Sequence, residues 1–118
     1  MAHRLNKEEQ LCADDCLKCS EICTQTADYC LQLSGKHAEA GYIRLLLDCA
    51  EMCQTSAHFM LRTSQFYPRT CALCAEVCER CAKACERMAN GDALLRRCAE
   101  ICQECAESCK KMASMVTV

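Results

Sequence analysis

The stretch that decides the fold is Cys71-Ala-Leu-Cys74-Ala-Glu-Val-Cys78-Glu-Arg-Cys81-Ala-Lys-Ala-Cys85, followed by Cys98-Ala-Glu-Ile-Cys102-Gln-Glu-Cys105-Ala-Glu-Ser-Cys109. From Cys74 to Cys85, and again from Cys98 to Cys109, the steps are four, three and four residues. Such steps bracket the helical turn, so each run places its thiols on one stripe of a helix. A coiled coil would carry Leu or Ile at those positions. Here sulfur takes them.

Working outward, Met88 continues the first stripe and Asn90-Gly91 supplies a C-terminal stop. Asp92 is a good N-cap for the next helix, whose stripe begins at Leu95 and runs through the cysteines to Met112. Tyr67-Pro68 precedes the first run, and Pro68 is placed to start a helix. Near the beginning of the chain, Asn6 and Glu9 form a capping-box pattern leading into Cys12, Cys16, Cys19 and Cys23, with Thr26, Cys30 and Leu33 next in register before Ser34-Gly35. This predicts a helix from about Lys7 to Leu33. Another is predicted from His37 or Ala38 to about Gln65. Its stripe holds Tyr42, Leu46, Cys49, Cys53, Ser56, Met60 and Thr63, so it is the least sulfur-rich. Short connections between helices of similar length imply antiparallel neighbours. The expected fold is all-α: one domain over residues 1–118, an antiparallel up-down-up-down four-helix bundle with a cysteine-lined core.

Composition narrows the chemistry. The formal net charge of −2 at pH 7 gives no hint of a nucleic-acid partner or an anionic membrane surface. The first ten residues lack an apolar run fit for a signal peptide, and no segment suits a membrane span, so a soluble, cytoplasmic protein is expected. Sixteen cysteines suggest a disulfide scaffold only in a loop-rich secreted chain, and this one has three Gly and one Pro. Neighbours three or four apart on a helix have Cβ atoms roughly 5–6 Å apart, against about 3.5–4.5 Å for a disulfide. Thiols so placed are expected to be ligands.

Sixteen small side chains in a core, with two Phe and no Trp to fill the remaining space, predict voids unless something occupies the axis. Soft thiolates favour Cu(I), Zn(II) and iron–sulfur clusters. Repeated divalent sites with four thiolates each would stack negative charge along a dry axis. Lys and Arg lie mostly off the cysteine stripes, as at Arg80, Lys83, Arg87, Arg96 and Arg97, so no inward cation offsets it. Many Cu(I) ions, about one per thiolate, would neutralise the core as it fills. An iron–sulfur electron carrier and a zinc reservoir are the alternatives. The Cys-x-x-Cys pairs such as Cys16/Cys19 lack the βαβ context of a thioredoxin-like site, and no catalytic constellation emerges.

In these runs, and in Asp48-Cys49-Ala-Glu-Met-Cys53, the chain resembles the cytosolic copper storage proteins, a family of four-helix-bundle copper-binding proteins with cysteine-lined cores. The resemblance covers nearly the whole chain. It implies storage of many Cu(I) ions per bundle in a homotetramer. For a copper store, a copper chaperone or copper enzyme is the expected exchange partner. Related chains often carry a further Cys where this one has Tyr42, and many place His around the connection that here reads Met88-Ala-Asn-Gly-Asp92.

The proposed topology gathers Cys12, Met60, Cys71, Cys109 and Met112 at one end, with His3 and Met115 nearby. Met60 and Met112 are soft, neutral candidates for weak Cu(I) sites, and that end is the expected point of copper uptake. Leu33, Tyr42 and Leu95 are expected to plug the other. His58 is expected off the stripe and His37 at a helix start. Leu17, Leu31, Leu45, Phe59, Leu73, Val77 and Ile101 lie off the stripes, where they widen the core or pack between bundles.

Overall fold

The computed structural model describes residues 4–115. Four helices account for most of them: α1 (Lys7–Leu33), α2 (Ala40–Leu61), α3 (Tyr67–Ala89) and α4 (Ala93–Ser114). α1 packs on α2 and α4, and α3 packs on the same two, so the helices follow one another around the axis in chain order. This is the antiparallel up-down-up-down bundle that short connections predict.

Local chemistry sets the boundaries. At the start of α1 the Asn6 side chain accepts from the Glu9 amide at 2.8 Å, and the Asn6 amide donates to Glu9 Oε1 at 3.0 Å. Both halves of the capping box are present, so two otherwise unpaired amides are satisfied. Asp92 caps α4 by accepting from the amides of Leu94 and Leu95. α3 ends at Asn90, which is left-handed at φ 43°, followed by Gly91 at φ 89°.

The second helix is shorter than expected at both ends. Residues Gly35–Ala38 form a 3₁₀ turn containing His37, and Glu39, with extended backbone, caps α2 by accepting from the amides of Gly41 and Tyr42. A carboxylate there satisfies two first-turn donors, which delays the helix to Ala40. At the far end Thr63 adopts φ 50°, which closes the helix before Gln65 and takes Thr63 off the buried stripe. Leu33 also departs from expectation: it is 42% exposed and plugs nothing, because the positive φ of Ser34 turns the chain away at that point.

The inward stripes are buried as predicted, and an unpredicted feature sets their spacing. Alanine follows cysteine at 12–13, 49–50, 74–75, 81–82, 98–99 and 105–106, and each of these alanines is buried. A methyl group on the flank of the seam lets neighbouring helices approach closely, since interaxial distance follows the size of the contacting side chains. The small core is therefore closed by approach, and the sulfurs touch. Leu46, Met60, Leu95 and Met112 are the largest fully enclosed side chains. Of the off-stripe apolar residues, Ile101 is buried in the core, whereas Leu17, Leu31 and Leu73 are exposed.

Candidate metal centre

All 16 cysteines are buried and unpaired. Their sulfurs make a continuous path across the four helices. It runs from Cys12 to Cys109 (3.8 Å), Cys16 (3.5 Å), Cys105 (3.6 Å), Cys53 (3.9 Å) and Cys78 (3.4 Å). From Cys78 it continues to Cys49 (3.7 Å), Cys19 (4.0 Å), Cys102 (3.7 Å), Cys23 (3.5 Å) and Cys98 (3.9 Å). Cys74 joins at Cys53, 3.6 Å away. A helix alone cannot bring its own thiols this close in more than pairs; the path is made by alternating between helices.

Four groups of sulfurs lie within 4.8 Å of one another: Cys16/Cys74/Cys105/Cys109, Cys19/Cys53/Cys78/Cys105, Cys19/Cys23/Cys49/Cys102, and the trio Cys12/Cys71/Cys109. A thiolate bond to a d¹⁰ ion of about 2.3 Å puts sulfurs sharing that ion roughly 4 Å apart, which is the spacing found here. The groups also share members. Cys19 and Cys105 each belong to two quartets, and Cys109 links a quartet to the trio. Closed tetrahedral sites use their ligands up, whereas shared sulfurs suit bridged clusters of low-charge ions. Cys30, Cys81, Cys85 and Cys98 lie outside these groups and extend the buried lining toward the end of the bundle where α3 meets α4.

Electrostatics favours the same chemistry. No Lys, Arg or His is among the buried residues described; the buried polar groups are Glu9, Thr26 and Ser56. Hydrogen bonding from Cys102 holds Cys19, Cys49, Cys81 and Cys98 below the ordinary thiol range, Cys81 down to about 3 and Cys98 to about 5. The Cys102 thiol is pushed far up in return, first by its bond to Cys19. Burial pushes Cys30 up. At Cys71 the hydrogen bond to Cys109 lowers the value, but the contact with Cys12 and burial outweigh it, and the thiol is pushed up to about 12. A sulfur held as thiolate thus leaves its neighbours protonated. Filling the column with cations must release those remaining protons.

The two ends differ in what continues the lining. At one, Met60 is fully buried with its Sδ 3.7 Å from Cys71 Sγ, and the Ser56 hydroxyl lies 3.4 Å from the same sulfur. Met112 is 2% exposed beside Cys12 in a surface depression. Met115 is half exposed, and His3 lies outside the described residues. Glu9, buried, accepts from the Tyr67 hydroxyl at 2.8 Å across the same end. At the other end Tyr42 donates to Cys85 Sγ at 3.3 Å, Leu95 is fully buried, and Thr26 Oγ1 is enclosed without a hydrogen-bond partner. His37 lies off the column, with Nε2 3.1 Å from the Met88 carbonyl oxygen; His58 is exposed on α2. Sequence spacing places Ser56 and Thr26 on the stripes. It gives no signal for Glu9–Tyr67, which joins residues 58 apart.

A family model described as copper storage protein matches residues 5–114. The Nmul_A1745 protein from Nitrosospira multiformis is 44% identical, with 93% of this chain and 98% of that one covered and a TM-score of 0.86. The Cu(I)-bound copper storage protein BsCsp3 is 34% identical, with 91% and 99% covered and a TM-score of 0.83. A cytosolic copper storage protein from Streptomyces lividans, with five coppers, is 28% identical over 94% and 96%, with a TM-score of 0.81. A curated relative, the uncharacterized cysteine-rich protein YhjQ of Bacillus subtilis, is 33% identical over 70 residues; the match covers 59% of this chain and 65% of that protein's length. The chain belongs to the copper storage protein family.

Proposed function

We propose that this protein stores Cu(I), many ions per chain, on the thiolates of its bundle core. The observation that carries the reading is the unbroken path of sulfur contacts from Cys12 to Cys98, with shared members between groups and no buried cation among the described residues. The ligands are Cys12, Cys16, Cys19, Cys23, Cys30, Cys49, Cys53, Cys71, Cys74, Cys78, Cys81, Cys85, Cys98, Cys102, Cys105 and Cys109. Met60 and Met112 supply weaker thioether sites at one end. Each ion replaces a thiol proton, so the charge of the core changes little as it fills. Zinc or iron–sulfur sites with four thiolates each would add negative charge with each site.

The bundle acts as one storage domain without catalysis, in the cytoplasm, and exchanges copper with a chaperone or a copper enzyme. No helix of the described chain is long and apolar enough to cross a membrane. Assembly as a homotetramer is supported by the apolar residues left exposed on the helices, Leu17, Leu31, Leu47 and Leu73 among them. Anaerobic titration of the reduced protein with Cu(I) against a strong chelator, with Zn(II) in parallel, tests the reading. Uptake of many Cu(I) per chain and weak zinc binding are expected; saturation at one or two Cu(I) would refute storage.

A further inference from the structure

Copper must reach a column whose sulfurs are all enclosed. The axial route at the methionine end is crossed by the Tyr67–Glu9 hydrogen bond, with Glu9 4% exposed and also engaged in the capping box of α1. Beside it, between the start of α1 and the end of α4, lies a depression of about 180 Å³ whose walls include both Cys12 and Met112. Two straps close over it. Lys111 Nζ pairs with Glu8 Oε2 at 3.1 Å, and Ser108 donates a hydrogen bond to Asp15. Both join α1 to α4 and both line the depression.

We propose that this depression is a lateral copper port, with the Glu8–Lys111 and Asp15–Ser108 straps as its latches; the inference rests on the storage reading. Cys12 and Met112 form the floor, and Cys12 leads directly to Cys109, 3.8 Å away, and so to the column. Transfer is ligand exchange without redox change. The bond from Cu(I) to a sulfur of the donor breaks, a bond to Cys12 Sγ forms, and the Cys12 proton passes to the departing donor thiolate. Met112 adds a neutral soft ligand that holds the ion without requiring a proton to leave. The ion-pair strap is weak by construction, since an exposed pair contributes little; its partners here are 65% and 43% exposed. The part-buried Ser108–Asp15 bond, made to a carboxylate, is the firmer latch. Opening both frees two carboxylates that draw a cationic copper complex inward.

The test is the initial rate of Cu(I) uptake from its cationic acetonitrile complex by the full chain, with end-point stoichiometry measured in the same run. Ser108→Ala combined with Lys111→Ala should load several-fold faster, and Ser108→Trp, which fills the mouth, at least about tenfold slower, if gating limits the rate. Both should reach wild-type stoichiometry, with circular dichroism confirming the bundle. If Ser108→Trp does not fold, the double alanine variant decides alone. Wild-type rates in the variants that fold, with full capacity, would overturn the port and leave storage standing. A wild-type capacity of one or two ions would overturn both.

Discussion

The two ends of the bundle are built on the same stripes and finish differently. At the end where α1 and α3 begin, sulfur continues past the last cysteines as Met60 and Met112, and a depression reaches Cys12. Where α2 and α4 begin, Tyr42 and Leu95 occupy the corresponding inward positions, and the Tyr42 hydroxyl bonds to Cys85. The connections differ too: at the tyrosine end each positive-φ pair includes a glycine, Ser34-Gly35 and Asn90-Gly91, while the α2–α3 turn uses Thr63. One end carries soft ligands just beneath a surface depression. The other closes the column with hydroxyl and hydrocarbon, which Cu(I) does not favour.

The largest effect should come from removing the methionine lining. Met60→Ala and Met112→Ala should each cost about 2–5 kcal/mol in chemical denaturation, as buried truncations do. Leu at both sites should keep stability to within about 1.5 kcal/mol yet slow Cu(I) loading. Unchanged loading in the Leu pair would reduce the contrast between the ends to packing.

Alkali should act on the apo core at both ends, through Cys71 at one and Cys30 at the other. Cys71 is pushed up to about 12, and Cys30 is also raised, so the folded state holds protons that the unfolded chain releases. Their contribution is fully present below the unfolded thiol value near pH ~9 and falls as pH rises toward 12. The thiols held low in the apo core, Cys81 and Cys98 among them, act the other way and add stability as pH rises toward the unfolded value, so the loss is read above pH ~9. The copper-loaded chain holds no native thiol protons, so its stability should rise toward pH ~9 and then level off. Urea midpoints above pH ~9 check the difference, apo falling while loaded stays level; parallel slopes there would contradict the protonated core.

Smaller changes test the closures. Tyr42→Phe removes the hydroxyl from Cys85 and should cost about 1 kcal/mol in the apo protein, with capacity intact. Thr63→Gly should stabilise by about 1 kcal/mol, since a β-branched residue at φ 50° is strained where glycine is not. A thermal melt that moves down for Thr63→Gly would show that its side chain, rather than its backbone, matters at that turn.

Much of this was legible from spacing. The steps of three and four put every cysteine on a buried stripe, and the capping box at Asn6 and the caps at Asn90 and Asp92 mark helix ends at single-residue precision. Glu39 was missed as a cap because a glutamate before a glycine carries no N-terminal signature as strong as Asp or Ser. Leu33 fell in register with Cys30 but lies at the turn, where periodicity no longer says which way a side chain faces.

By itself the sequence determined the helices, their order and the sulfur stripes, because helical periodicity is local and a stripe follows from spacing alone. Only the tertiary structure decided how far apart the stripes stand. The sequence reading anticipated voids; buried alanines draw the helices together until sulfurs from different helices meet at 3.4 to 4.0 Å. Only packing across the bundle could pair Glu9 with Tyr67, or set Ser108 over Asp15 beside Cys12. Such contacts join residues far apart in the chain, and no local pattern encodes them.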